Sequence, residues 1–77
     1  MNNLAQVHPT GSFVRLISLR EVLQLTSRGR TRIYADIQAG AFPAPVKDGA
    51  SSRWVEAEVV AWIAQRIAAR DAQRSAA

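Results

Sequence analysis

The fold is decided by residues 18–40, which read SLREVLQLTSRGRTRIYADIQAG. Ser18 and Glu21 have the spacing of a capping box, in which the serine hydroxyl and the glutamate carboxylate each accept the other residue's amide hydrogen. Ile17 and Val22 occupy the positions of a hydrophobic staple around that cap. Leu19, Val22 and Leu23 repeat at the spacing of a buried helical stripe. These signals predict a first helix over residues 19–25.

A second helix is predicted after the turn-forming residues 26–29. Ile33 and Ile37 are four positions apart, which begins a new helical stripe with its own buried side. Gly40 is expected to end this helix, because glycine readily adopts the left-handed conformation that closes helices. The chain therefore reads helix, tight turn, helix, which is the order of a helix-turn-helix.

The segment after Gly40 predicts a hairpin. Its two prolines exclude a continuing helix, since each fixes its own backbone and restricts the residue before it. Residues 45–47 (PVK) and 53–55 (RWV) flank the glycine- and serine-rich residues 48–52 (DGASS). This spacing fits two short strands with a tight tip, which we interpret as a wing.

A third helix is predicted from Glu56 to near Arg70. Glu56 and Glu58 suit the positive end of the helix dipole. The buried stripe should contain Val59, Trp62, Ile63 and Ile67. The large aromatic residues are predicted to anchor the core rather than to stack on bases, and they are Phe42, Trp54 and Trp62. The predicted fold class is mainly α with a small β-hairpin wing, a winged helix-turn-helix with three helices.

The length of 77 residues allows one domain. We expect a flexible arm over residues 1–13, the winged helix-turn-helix over 14–70 and a frayed tail over 71–77.

The chain has no cysteine, which excludes disulfides and thiolate metal sites. No apolar run approaches the roughly 20 residues that span a bilayer, and the start does not resemble a secretory signal. The sequence thus predicts a cytoplasmic, nucleoid-associated protein without a membrane partner.

Charge points to a polyanionic partner. Ten Lys and Arg against six Asp and Glu give a net charge of +4, and all the cations except Lys47 are arginines, which suit bidentate contact with phosphate or guanine. Five cations and two anions lie between Arg28 and Arg53, so 5 − 2 = +3 of this charge is in the middle of the chain. Such a local excess is typical of a nucleic-acid-binding face.

The residues needed for catalysis are sparse. The single histidine, His8, lies in the predicted arm, and the carboxylates do not cluster at ligand spacing. The four glycines are isolated, so no phosphate-cradling loop is present. We therefore predict a protein that is not an enzyme and uses no cofactor or metal.

The start of the second helix carries the predicted DNA contacts. Opposite Ile33 and Ile37, the helix presents Thr31, Ala35 and Gln38, a small and polar face that can enter the major groove. The predicted hairpin tip adds a basic, small-residue loop for phosphates or the minor groove. The candidate contacts are Arg28, Arg30, Thr31, Arg32, Tyr34, Ala35, Gln38, Lys47, Ser51, Ser52 and Arg53. Asp36 fits this face only if it points away from phosphate or accepts from a cytosine amino group.

Three stretches together resemble the AlpA family of phage and prophage regulators, which is related to excisionases and to MerR-type winged helices. They are RLISLREVLQLTSRGRTRIY, AGAFPAPVK and RWVEAEVVAWIAQRI, within residues 14–69. The resemblance implies double-stranded DNA as partner, the second helix in the major groove, the wing beside it, and regulation of integrase genes or of excision. Gly29 stands where the family usually has serine, and Ala35-Asp36 where a basic residue commonly follows Ile-Tyr.

Two alternatives remain open from the sequence. The first is an excisionase-like recombination directionality factor that bends DNA. The second is a protein-interaction adaptor that uses the wing or the smooth face of Ala61, Ala64 and Ala68. Further partners to consider are another copy on adjacent sites, an integrase or RNA polymerase. The basic pair Arg66 and Arg70 is expected to be solvated or to contact DNA or a partner subunit.

Overall fold

The computed structural model describes residues 14–76. The predicted arm and His8 lie outside this range. Within it the chain forms three helices and three antiparallel strands, which confirms the mainly helical fold with a hairpin. In chain order the elements are β1 (Leu16–Ile17), α1 (Leu19–Thr26), α2 (Arg30–Gln38), β2 (Val46–Asp48), β3 (Ser51–Val55) and α3 (Glu56–Ala76).

The capping box that starts α1 is confirmed. The Ser18 hydroxyl accepts the Glu21 amide hydrogen at 3.2 Å, and the Glu21 carboxylate accepts the Ser18 amide hydrogen at 2.9 Å. Ile17 and Val22, the two residues of the predicted staple, are 1% and 0% exposed. The cap therefore fixes where the chain enters the core as well as where the helix begins.

Backbone conformation defines both ends of the turn between α1 and α2. Ser27 ends α1 at φ 57°, a left-handed position, and its amide donates to the Leu23 carbonyl at 2.8 Å. Two residues later Gly29 caps α2 without a side-chain hydrogen bond.

The other end of α2 is closed by Gly40, which has φ 75°. The Gly40 amide donates to the Ile37 carbonyl, and the Ala41 amide donates to the Asp36 carbonyl. This is the Schellman pattern, which closes the helix as predicted.

The wing is a tighter hairpin than the sequence suggested. β2 and β3 pair antiparallel with Lys47 opposite Ser52 and Asp48 opposite Ser51. The predicted tip of residues 48–52 is therefore wrong in extent, because only residues 49 and 50 form the turn. Gly49 has φ 65°, and a glycine at the first central position permits a two-residue turn that matches the twist of the strands.

A short first strand was not predicted. β1 pairs antiparallel with β3, so that Leu16 lies opposite Val55 and Ile17 opposite Trp54. The sheet order is β1-β3-β2, which makes β3 the central strand. A two-residue strand shows too little alternation to be detected in sequence. Its pairing draws the chain before α1 onto the wing strand.

The core is a single cluster at the centre of this arrangement. Trp54 is 0% exposed and its indole N–H donates to the Pro43 carbonyl at 3.1 Å. Trp62 packs against the cluster from outside and donates to the Ala41 carbonyl at 2.8 Å. Both tryptophans therefore hold the segment that follows α2. The buried residues are Ile17, Val22, Ile33, Phe42, Trp54 and Val59.

The predicted end and stripe of α3 need correction. The helix does not stop near Arg70 but continues to Ala76, because alanine and arginine favour helix and Asp71 pairs with Arg74, three residues further along the helix, at 3.8 Å. Ile67 was expected in the buried stripe, yet it is 48% exposed. The core ends near Ile63, so the next turns of the helix have nothing to pack against among the described residues.

An ion pair joins the residue before β1 to the first residue of α3. Arg15 donates from Nε and Nη2 to the two carboxylate oxygens of Glu56, each at 2.9 Å. The backbone amide of Glu56 also donates to the Arg15 carbonyl at 2.9 Å. The Arg15 hydrogen bond lowers the pKa of Glu56 below its ordinary 4.5, and the Ser18 amide does the same for the pKa of Glu21.

These lowered pKa values predict a loss of stability in acid. Both carboxylates bind protons less readily in the folded protein than in the unfolded chain. Their contribution to the free energy of unfolding is therefore complete above the ordinary pKa of 4.5, and it is lost as the pH falls through their lower pKa values in the folded protein. The urea concentration at the midpoint of unfolding should therefore decrease as the pH is lowered from about 5 to about 3. The variant Glu56→Gln should show a shallower fall, and an equal fall in both proteins would contradict this origin.

Candidate nucleic-acid interface

The outward face of α2 is exposed to solvent. Ile33 is 0% exposed and anchors the helix to the cluster, whereas Thr31, Ala35 and Gln38 are all exposed. Their spacing of three and four places them on one side of the helix. The structure thus gives α2 the orientation that the sequence predicted, while their contact with DNA stays a prediction.

The N-terminus of α2 favours anions. Gly29 provides no side-chain acceptor, and the first turn contains no acidic residue. The first amide hydrogens of a helix have no internal partner and carry a partial positive charge. Arg30 and Arg32 are exposed beside them. A phosphate group at this end of α2 could therefore accept hydrogen bonds from unpaired backbone amides and from two guanidinium groups.

Asp36 lies between two arginines. Its carboxylate accepts from Arg28 on one side and from Arg32 Nε at 3.2 Å on the other. The Asp36 side chain is only 15% exposed, whereas that of Arg32 is 60% exposed. The negative charge of Asp36 is thus compensated within the protein, and it orients two basic residues. The spacing of four between Arg32 and Asp36 is the sequence signal that could have predicted this pair.

Arg28, one of the candidate DNA contacts, is held by two other side chains. Its side chain is 20% exposed, it pairs with Asp36, and its guanidinium lies 4.8 Å from the centre of the Trp62 ring. Neither partner was predicted from the sequence. Arg28 therefore connects α2 to α3 and offers less free surface to a ligand than Arg32.

Tyr34 bridges α2 and the wing. Its ring is 6.3 Å from that of Trp54 at 65°, an edge-on contact, and the residue is 40% exposed. The ring thus packs against the central strand while part of the residue is open to solvent. Tyr34 is therefore placed both for packing and for contact with a ligand.

The wing does not gather its basic residues on one face. Lys47 Nζ donates to Ser52 Oγ, its cross-strand neighbour, at 3.2 Å. Arg53 follows Ser52 in β3, so its side chain is directed to the opposite face, and it is partly buried. Ser51 is exposed next to the turn. Lys47 and Arg53 are thus suited to two different sides of a groove or backbone.

Residues 14–76 contain neither a metal-binding cluster nor a helix suited to span a membrane. No group of three or more His, Cys, Asp or Glu side chains in this range is close enough to hold a metal ion. None of the helices in it has the length and hydropathy of a membrane span. The described carboxylates that do approach one another, Glu21 and Glu56, are linked through Arg15.

A capped helix, a tight turn, a second helix with an exposed basic face and a two-stranded hairpin define a winged helix-turn-helix domain. The chain belongs to the family described as "Prophage CP4-57 regulatory protein (AlpA)", which matches residues 15–67. It is also similar to "Uncharacterized protein ORF88" of Enterobacteria phage P4, with 40% identity over 57 residues, 73% of this chain and 65% of that relative. The match thus leaves about a third of the relative uncovered. No solved structure matches significantly.

Proposed function

We propose that this chain is a sequence-preferring DNA-binding regulator of transcription that acts on the bacterial nucleoid. The observation that carries the proposal is the orientation of α2, in which Ile33 is 0% exposed while Thr31, Ala35 and Gln38 are exposed. Membership of a prophage regulatory family supports a role in gene control. In this reading α2 enters the major groove and the wing contacts the backbone or the minor groove.

The chemistry of α2 suits recognition of base edges. Thr31 and Ala35 are small, so the helix can approach the floor of the groove closely and contact a thymine methyl group. Gln38 can form a bidentate pair of hydrogen bonds with adenine, and an arginine can form such a pair with guanine. Arg32 is the best placed for this, because Asp36 holds its Nε and leaves the outer part of a 60% exposed side chain free.

Phosphate contacts are assigned to the edges of this surface. The amides at the start of α2 and Arg30 would bind one strand. Lys47, Ser51, Ser52 and Arg53 would follow the backbone at the wing. One module of this size covers little DNA, so useful affinity requires two or more copies on adjacent sites.

Selection of bound sequences from random DNA tests the proposal. We expect enriched sites in which a short motif recurs at a fixed spacing, and binding that weakens with salt. With roughly four phosphates neutralised, log affinity against log salt should have a slope of about −3 to −4. A slope near zero, or absence of binding at low salt with recovery of a protein partner, would support the adaptor alternative. Cooperative filling of direct repeats with strong bending would favour the excisionase-like alternative.

Replacing Arg32 by alanine should weaken binding to the selected site by about 1–3 kcal/mol and relax preference at one base pair. Binding to scrambled DNA should change much less. A matched control is Arg74→Ala, which removes a 70% exposed arginine at the far end of α3. Titrations on selected and scrambled DNA measure both effects. Equal losses on the two DNAs would assign Arg32 to phosphate instead of a base.

A further inference from the structure

A second surface lies away from the outward face of α2. A groove of about 350 Å³ runs between the end of α1 and the middle of α3. Leu25, Ile63 and Ile67 form its apolar floor, and Leu25 and Ile67 are 44% and 48% exposed. Large aliphatic side chains from two helices are thus open to solvent at one place, and such a cluster is typical of a docking site.

Arginines form the rim of this groove. Arg66 lies with its guanidinium 4.6 Å from the centre of the Trp62 ring, and it makes no ion pair with any residue of the described chain. Arg70 and Arg28 complete the rim. Among the lining residues that the structure describes, none carries a carboxylate. The groove is therefore apolar at its base, and its rim carries three guanidinium groups, of which Arg28 pairs with Asp36 and Arg70 with Asp71 while Arg66 has no ion pair within the described residues.

We propose that this groove docks an acidic amphipathic helix of a partner protein. Apolar side chains of that helix would cover Leu25 and Ile67, and one of its Glu or Asp side chains would pair with Arg66, the rim arginine that has no ion pair among the described residues. Stacking on Trp62 already restricts Arg66, so less side-chain freedom is lost when a carboxylate binds.

Other occupants fit less well. A DNA backbone offers phosphates and no aliphatic surface, so it would not cover the exposed leucine and isoleucine of the floor. Residues 1–13 contain no Asp or Glu, so this segment does not complement the charge. A second copy offers Asp48 and Glu58 as the only carboxylates without an ion pair among the described residues, because Arg15 engages Glu21 and Glu56, and Asp36 and Asp71 pair with arginines of their own chain.

The site also adjoins the proposed DNA-binding helix. Arg28 lines the groove and pairs with Asp36 of α2, which in turn holds Arg32. An acidic helix that competes for Arg28 would therefore act on the residue that orients Arg32. The docking proposal itself does not depend on DNA binding, since its test contains no DNA.

The test uses the full chain and a fluorescently labelled amphipathic peptide of about 18 residues, five helical turns, built from leucine and glutamate. Anisotropy should show saturable binding. A peptide with lysine in place of every glutamate should bind at least about tenfold more weakly, a difference of 1.4 kcal/mol. Arg66→Glu and Ile67→Ser should each weaken the acidic peptide about tenfold or more. The matched controls, Arg20→Glu on α1 and Val46→Ser on the wing, should leave it unchanged.

Several results would overturn the proposal. They include equal binding of the two peptides, no binding of either, or equal losses in the groove and control variants. Dimerisation of the free chain that Arg66→Glu abolishes would assign the groove to a second copy. A drop in DNA affinity for Arg66→Glu, with the salt slope reduced by about one, would make Arg66 a phosphate contact. In contrast, failure of the wild-type chain to bind DNA would refute the proposed function and would not affect the docking proposal.

Discussion

Replacing Ala35 with glutamate is expected to abolish specific DNA binding while the domain remains folded. Ala35 lies in the middle of the exposed face of α2 and its side chain is in solvent. Glutamate is a good helix former, so the substitution costs the fold little. In the complex, the longer side chain would hold the helix away from the bases and bring a negative charge into a groove bordered by phosphates.

The expected loss for Ala35→Glu is about 3 kcal/mol or more, over 100-fold in the dissociation constant. Titration of the selected DNA measures the loss, and urea unfolding verifies that the variant keeps its stability. Ala69→Glu is a matched control, because Ala69 is an exposed alanine in α3. Retention of wild-type affinity by Ala35→Glu would mean that α2 does not face the groove.

Replacing Trp54 with alanine is expected to unfold the chain. Trp54 is 0% exposed, sits in the central strand opposite Ile17, and contacts Tyr34 of α2. Truncation of a buried tryptophan costs about 3–5 kcal/mol. A domain of this size has about that much stability in total. The loss of one side chain is therefore comparable to the whole free energy of unfolding.

Circular dichroism at 25 °C and urea titration measure this loss. The spectrum of Trp54→Ala should lack most of the helical signal, and no cooperative transition should remain. Val60→Ala is the control, since Val60 is a β-branched aliphatic that is 51% exposed in α3. A cooperative transition in Trp54→Ala with a loss below about 1 kcal/mol would contradict the central role of this residue in the core.

The helix boundaries were predictable where side chains define them. Ser18 and Glu21 gave the start of α1, and Gly40 gave the end of α2, because caps and left-handed glycines are local signals. β1 was not predictable, since its two residues acquire strand geometry only by pairing with β3. Ile67 was misassigned because helical periodicity shows which side of α3 is apolar but not where the core ends.

The outward face of α2 was predictable from the isoleucines alone, because Ile33 and Ile37 fix the buried side and hence the opposite one. The interactions around Asp36 were not. Its pair with Arg28 joins residues on either side of a turn, and its contact with Arg32 was overlooked despite the helical spacing. Stacking of Arg28 and Arg66 on Trp62 depends on how α2 and α3 pack, which periodicity does not report.

The central claim is that the face of Thr31, Ala35 and Gln38 lies in the major groove, and disulfide cross-linking tests it most directly. The chain has no cysteine, so Ala35→Cys introduces a single thiol, and Ala69→Cys serves as the control. The DNA is the selected site with a thiol tethered to a cytosine amino group in the major groove. We expect rapid cross-linking of Ala35→Cys and none of Ala69→Cys. Cross-linking of Ala69→Cys alone would contradict the account.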